Sequence, residues 1–180
     1  MGRGGRRADG ERNRDAILEA ATALLAEAPD ASVTDVARAA GVTRATVYRH
    51  FESRDALLDQ MLLANAAATV VTLLEAMEEL PLAEALDLMA GQVVALAQDN
   101  ARLVAATSRR IQELAHASLA AEPLVEFLAR RRARGEVLSE LGDAWLGTCI
   151  RVLCLAVVLE GAAAGGRADE LGRTLRTLVC

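Results

Sequence analysis

Residues 33–51 read VTDVARAAGVTRATVYRHF, and the fold is decided in this stretch. Ser32, just before it, is an N-cap residue with Asp35 three positions on, a variant of the capping box that opens a helix. Gly41 breaks that helix after Ala40, and Thr43 caps a second one over 44–51. The joint needs particular residues. Ala37 is small because the second helix crosses close above it. Gly41 supplies a backbone conformation that a side chain resists. Val36, Ala40, Val42 and Val47 are the apolar contacts that lock the two helices at a steep angle. What remains of the second helix is polar: Arg44, Thr46, Tyr48, Arg49 and His50. A polar helix of this size, opening on a free N-terminus, fits the major groove of DNA. An ordinary helical hairpin with a solvated face is the alternative. The small residue, the glycine four positions later, the apolar residue six beyond and the arginine-bearing face together favour the groove.

Working outward, Ile17, Ala20, Ala21, Leu24, Leu25 and Ala28 follow helical spacing, which predicts a helix over 11–28 stopped by Pro29-Asp30. The Gly/Arg-rich residues 1–10 lack such periodicity and are expected to form a flexible arm. Downstream, Ser53 and Asp55 open a long helix to about residue 79, with Leu57, Leu58, Met61, Leu62, Ala66, Val70, Leu73, Leu74 and Met77 on its apolar side. Further helices are expected over 81–98, 101–116, 123–134, 139–164 and 168–179. The fold class is all-α with about nine helices. The divisions expected are an arm over 1–10, a helix-turn-helix domain over 11–52, and a helical body over 53–180.

Composition agrees. Hydrophobic residues make up 53% of the chain and aromatic residues only 2%. Ala and Leu dominate, and no strand-like alternation persists. The net charge of -5 is unevenly spread: residues 1–55 balance nine Arg against nine acids, so the acidity lies in 56–180. All twenty basic residues are Arg, a side chain suited to phosphate forks and buried ion pairs. The apolar stretch 149–164, interrupted by Arg151 and Glu160, reads as too short and too charged for a bilayer, and no secretory signal follows the N-terminal arginines. Cys149, Cys154 and Cys180 form an odd set without metal-ligand spacing, which suggests a reduced, cytoplasmic chain. His116 lacks a second ligand at metal spacing. No metal, cofactor, membrane or catalytic constellation is expected, and the chain reads as a non-enzyme.

The stretch from Ser32 to Leu58, with A-x-x-A-G-V-T-x-x-T-V-Y-R-H-F-x-S-R-x-x-L, closely resembles the N-terminal domain of the tetracycline-repressor (TetR) family. The resemblance covers about 45 residues; beyond Leu63 it is architectural only. It implies a sequence-specific repressor of transcription that binds a palindromic double-stranded DNA operator as a homodimer and is released by a small effector. It places Ser32, Thr34, Thr43, Arg44, Ala45, Thr46, Tyr48, Arg49, His50 and Arg54 at the DNA. Ser32 and Thr43 would cap helices facing phosphates. Arg44, Ala45 and Thr46 occupy the base-reading turn, where Arg44 can fork onto guanine and Thr46 can meet a thymine methyl. Tyr48 and His50 look like phosphate clamps. Arg54 stands where the family usually has Lys. Arg12 and Arg14, with Arg3, Arg6 and Arg7, either reach flanking DNA or form a solubilising tail.

For the body, the resemblance implies an effector cavity and a dimer interface. Leu146, Ile150, Leu153, Val157, Leu171, Leu175, Leu178 and the small residues of 161–166 are the interface material expected in the last two helices. Pocket liners expected are Met61, Met77, Met89, His116, Phe127, Trp145 and Cys149, against the alternative that each is ordinary core. The shortage of aromatics and buried acids points to a lipophilic, neutral effector. The run RRRAR, 130–134, is expected to be the solvated end of a helix. A redox-responsive regulator using the cysteines is the alternative function.

Overall fold

The computed structural model describes residues 3–117 and 122–180, with side chains for 10–115 and 123–180. Among the described residues there are nine α-helices, one short 3-10 helix and no strand. They are α1 (Arg3–Glu27), α2 (Val33–Ala39), α3 (Arg44–His50), α4 (Arg54–Met77), α5 (Leu82–Asp99), α6 (Ala101–Ala117), α7 (Glu122–Ala133), α8 (Asp143–Glu160), the 3-10 turn Gly161–Ala164, and α9 (Ala168–Val179). The helix over 11–28 is therefore longer than expected. It begins at Arg3, because adding a residue to a helix already formed needs no apolar face of its own. The helix expected over 139–164 is shorter: α8 starts at Asp143, and Gly161, with φ of 55°, ends it in a 3-10 turn.

The chain divides into two compact units, Met1–Ala66 and Ala67–Cys180. The first takes in the opening half of α4, which the boundary expected at 52/53 assigned to the second. In the N-terminal unit Ile17, Ala21 and Leu25 of α1, Val36 and Ala37 of α2, Val47 of α3, Phe51, and Leu57, Leu58 and Met61 of α4 are all buried. Burying each of the larger of these side chains, the Val, Leu, Ile, Phe and Met, is worth roughly 1.5–3 kcal/mol. Thr22 of α1 and Asn65 of α4 are hydrogen-bonded to each other, with the Asn65 amide donating to the Thr22 hydroxyl at 3.0 Å.

In the C-terminal unit α5 packs against α8, α9 and the 3-10 turn. Leu86, Met89, Val93, Leu146, Ile150, Leu171 and Leu175 belong to one continuous core. Gly147 lets α8 approach α7, since a Cβ there would come within 3.2 Å of Val125 Cγ2.

Two sequence expectations are corrected here. The first concerns the interface residues. Leu146, Ile150, Val157, Leu171 and Leu175 are buried inside the unit itself, with Leu153 and Leu178 packed against its core. The face that α8 turns outward carries Trp145, 61% exposed, and Val152, 56% exposed. The second concerns RRRAR. Arg131 is only 2% exposed, and its guanidinium donates to the carbonyls of Met77 (2.5 Å), Glu78 (2.8 Å) and Leu80 (2.8 Å) and to Glu136 Oε2 (2.7 Å). It lies 4.9 Å from the Phe127 ring centroid. Arg132 binds Ser139 O, Leu141 O and Asp143, while Arg130 and Arg134 both meet Glu78. The carbonyls ending α4 lack intrahelical donors, and a planar group with five N–H donors answers several of them at once.

By length and composition, α4 and the segment Asp143–Ala164 are each apolar enough to cross a membrane. The stretch 149–164 is thus not too short once α8 is counted from Asp143. Both helices lay one side into a helical core, through Leu57, Leu58 and Met61 in one and Leu146, Ile150 and Val157 in the other.

Candidate nucleic-acid interface

The helix-turn-helix is built as its residues dictate. Ser32 caps α2 with a reciprocal capping box: its hydroxyl accepts from Asp35 N, and the Asp35 carboxylate accepts from Ser32 N at 3.1 Å and from the Ser32 hydroxyl at 2.6 Å. Those bonds to Ser32, and then Arg38, hold the Asp35 carboxyl below its usual range. The turn closes through Val42 N to Ala37 O at 2.9 Å and Gly41 N to Arg38 O at 3.2 Å. Gly41 sits at φ 66° with open space around its Cα, so backbone conformation and not crowding selects glycine there. Thr43 caps α3: its hydroxyl accepts from Thr46 N at 3.1 Å and lies 2.9 Å from the Thr46 hydroxyl.

Of α3 only Val47 is buried. Thr43, Arg44, Ala45, Tyr48 and Arg49 are exposed and Thr46 is half-buried. The structure therefore brings the expected reading residues together on one outward face. The Arg44 guanidinium lies over the Tyr48 ring, 5.3 Å from its centroid. Thr34 is exposed in the first turn of α2.

Arg54 and His50, expected at the DNA, and Arg14, expected either at flanking DNA or in a tail, also make contacts within the domain. Arg54 donates to Pro29 O at 2.7 Å and Ala31 O at 3.3 Å, tying the start of α4 to the loop between α1 and α2. Arg14 donates to Gln60 Oε1 at 2.6 Å and lies 5.9 Å from the Phe51 ring centroid. His50 is half-buried, and its Nε2 is enclosed without a hydrogen-bond partner among the described residues. Burial first, then the positive charges of Arg49 and Arg14, lower its pKa below the ordinary 6.5. The sequence shows which types are basic; it does not show that a carbonyl 23 or 25 residues away will take the guanidinium. The side chains of Arg3, Arg6, Arg7 and His116 lie outside the described residues.

The expected pocket liners do not converge. Met61 is in the core of the N-terminal unit, while Met77, Met89 and Phe127 are in the core of the C-terminal one. Cys149 is half-buried and Trp145 is on the surface, because the inward side of α8 is already filled by Leu146 and Ile150. An open groove of about 390 Å³ is lined by Asp87, Ala168, Asp169, Arg173 and Arg176, a charged set containing none of those liners. Burial pushes the Cys154 thiol up to about 12, and burial also raises that of Cys180, which disfavours the thiolates that oxidative sensing needs.

Comparison with known proteins adds the rest. The family described as "Bacterial regulatory proteins, tetR family" matches residues 17–61. The HTH-type transcriptional repressor LfrR of Mycolicibacterium smegmatis is 52% identical over 48 residues, a match spanning 27% of this chain and 25% of that repressor. The solved structure of RolR, in complex with the ligand resorcinol, has a TM-score of 0.72 at 14% identity, covering 96% of this chain and 90% of its own. FadR of Thermus thermophilus, a TetR-family transcriptional repressor solved with lauroyl-CoA, has a TM-score of 0.61 at 23% identity, covering 92% of each chain. These two likenesses show a shared all-α fold. Residues 17–61, within which the helix-turn-helix lies, therefore carry the N-terminal domain of the tetR family of bacterial regulatory proteins.

Proposed function

We propose that this chain is a cytoplasmic repressor that binds a palindromic double-stranded operator as a homodimer and lets go when a small, apolar effector binds its C-terminal unit. The observation that carries the reading is the outward face of α3. There a capped N-terminus presents Arg44 and Thr46, and a glycine turn holds the helix against α2. Arg44 forks onto the O6 and N7 of a guanine. Thr46, whose hydroxyl is engaged by Thr43, offers its methyl to a thymine. Tyr48 and Arg49 serve the backbone. His50 and Arg54 are assigned to holding the domain together.

One seven-residue α3 reads too few base pairs to specify a site alone, and a two-fold pair doubles the reading. The subunit contact is assigned to the outward stripe of α8, where Trp145, Cys149, Val152, Ala156 and Leu159 alternate at three and four residues. An effector that prefers a different disposition of α4 weakens DNA binding by as much as its differential affinity allows. RolR and FadR, whose structures hold resorcinol and lauroyl-CoA, are relatives in fold with small ligands of partly apolar character.

The test is selection of bound sequences from random double-stranded DNA, followed by affinity measurements. The expected outcome is a palindrome with half-site centres about one helical turn, roughly 34–36 Å, apart. Arg44→Ala and Thr46→Ala each weaken binding without altering the oligomeric state, Arg44→Ala by about 1–3 kcal/mol. Selection of no sequence, or normal binding by both variants, overturns the assignment.

A further inference from the structure

We propose that Tyr48 is a positioning residue for base recognition: its ring holds the Arg44 guanidinium by the face, so that the edge is aimed at a guanine. The inference rests on the assignment of α3 as the reading helix and names what that helix selects.

Arg44 opens α3 and Tyr48 stands one turn further on, so both belong to the same exposed side. The guanidinium carbon is 5.3 Å from the ring centroid, within the range of a cation–π contact. Arg38 pairs with Asp35, Arg14 binds Gln60, and Arg54 binds two backbone carbonyls, while Arg49 shares the outward face of α3 with Arg44. Among the described residues no carboxylate is paired with Arg44. A ring contact differs from an ion pair in what it leaves open. The ring supplies no oxygen acceptor, so the in-plane N–H donors of the guanidinium are not tied up by a carboxylate. Guanine recognition in the major groove uses that fork, two parallel donors onto O6 and N7. A free arginine must give up rotamer freedom to make those bonds; one already stacked has given up part of it before DNA arrives. Tyr48 thus contributes to selectivity for one base pair, beyond any bond from its hydroxyl to a phosphate.

The hydroxyl and the ring can be separated. On the selected operator, each base pair of one half-site is replaced in turn and the ratio of dissociation constants is measured for the wild type, Arg44→Ala, Tyr48→Phe and Tyr48→Leu. Arg44→Ala locates the base pair it reads, expected to be a G·C. Tyr48→Phe keeps the ring, and its G·C preference stays within about twofold of wild type. Tyr48→Leu loses the ring, and preference at that one position falls by about two- to fivefold, the worth of an exposed cation–π contact. In the double variant with Arg44→Ala, Tyr48→Leu lowers the preference no further. Circular dichroism shows whether the Leu variant is folded, and the Phe variant tests the idea even if it is not. An unchanged preference in folded Tyr48→Leu overturns the proposal. A loss in Tyr48→Phe equal to that in Tyr48→Leu also overturns it and assigns Tyr48 to phosphate through its hydroxyl. A wild type that selects no sequence refutes the reading helix itself, a different failure from either.

Discussion

Arg131→Met removes the group that closes the end of α4. The side chain is 2% exposed and makes four hydrogen bonds, three to the carbonyls of Met77, Glu78 and Leu80 and one to Glu136. Methionine roughly restores the apolar stem and its packing on Phe127, so the change isolates the charged head. A hydrogen bond to a charged group is worth about 1.5–3 kcal/mol, but four bonds from one guanidinium do not add. Breaking a buried pair by deleting one partner costs about 3–5 kcal/mol. The Glu136 side chain is 30% exposed and rehydrates when abandoned, so the low end, about 3 kcal/mol, applies. For a chain of this length each kcal/mol shifts the melting temperature by about 2–4 °C, and the expected fall is about 6–12 °C. Thermal unfolding followed by far-UV circular dichroism measures it, at matched protein concentration because subunit association moves Tm. Arg130→Met is the control. Arg130 pairs with Glu78 from a side chain that is 49% exposed, so water screens the pair and its loss costs little. Melting of Arg131→Met within about 2 °C of wild type, or an equal drop in the control, refutes the clamp.

Two other outcomes are expected. His50, with its pKa depressed by burial and by Arg49 and Arg14, stays neutral in the fold while the unfolded chain protonates near 6.5. Its contribution to stability is therefore present above 6.5 and lost as pH falls below it. An NMR titration should place the His50 midpoint under 6.5, and His50→Gln should flatten the stability profile there; a midpoint at or above 6.5 contradicts the burial. Trp145 is the sole tryptophan, so its fluorescence reports on the α8 stripe alone. Emission should shift to the blue as concentration drives dimerisation, and Val152→Glu should abolish the shift and leave a monomer; a Val152→Glu dimer moves the interface elsewhere.

How much of this was legible depended on whether a residue's role is set locally. Ser32, Gly41 and Thr43 act within four residues of themselves, and the caps and the φ of 66° appear where the sequence puts them. The outward face of α3 followed, because Val47 and its neighbours settle which side of α3 is inside. Helix α8 was different. Its apolar residues run all round, so period alone finds Leu146, Ile150 and Val157 without saying that α5 takes that face and leaves Trp145 and Val152 outside. Arg131 and Arg54 were illegible for a related reason. Each is fixed by backbone carbonyls more than 20 residues away, in the loop after α1 or at the end of α4, and no side-chain pattern announces where a helix will leave its carbonyls unanswered.

These placements bear on how a domain with balanced charge binds a polyanion. Nine arginines against nine acids over 1–55 give no long-range attraction of their own. Arg14, Arg38 and Arg54 hold other parts of the domain, while Arg44 and Arg49 remain on the outward face of α3. Affinity through phosphates scales with the number of cations brought to them. On the proposed reading, α3 brings two outward arginines to the groove, and its binding would depend on base edges for the remainder. A second copy of α3, as the proposed dimer would supply, would double both its phosphate contacts and its base contacts. Arg14, Arg38 and Arg54, tied into contacts within the domain, are less free to meet DNA, and the proposed reading places selectivity in the base contacts of α3.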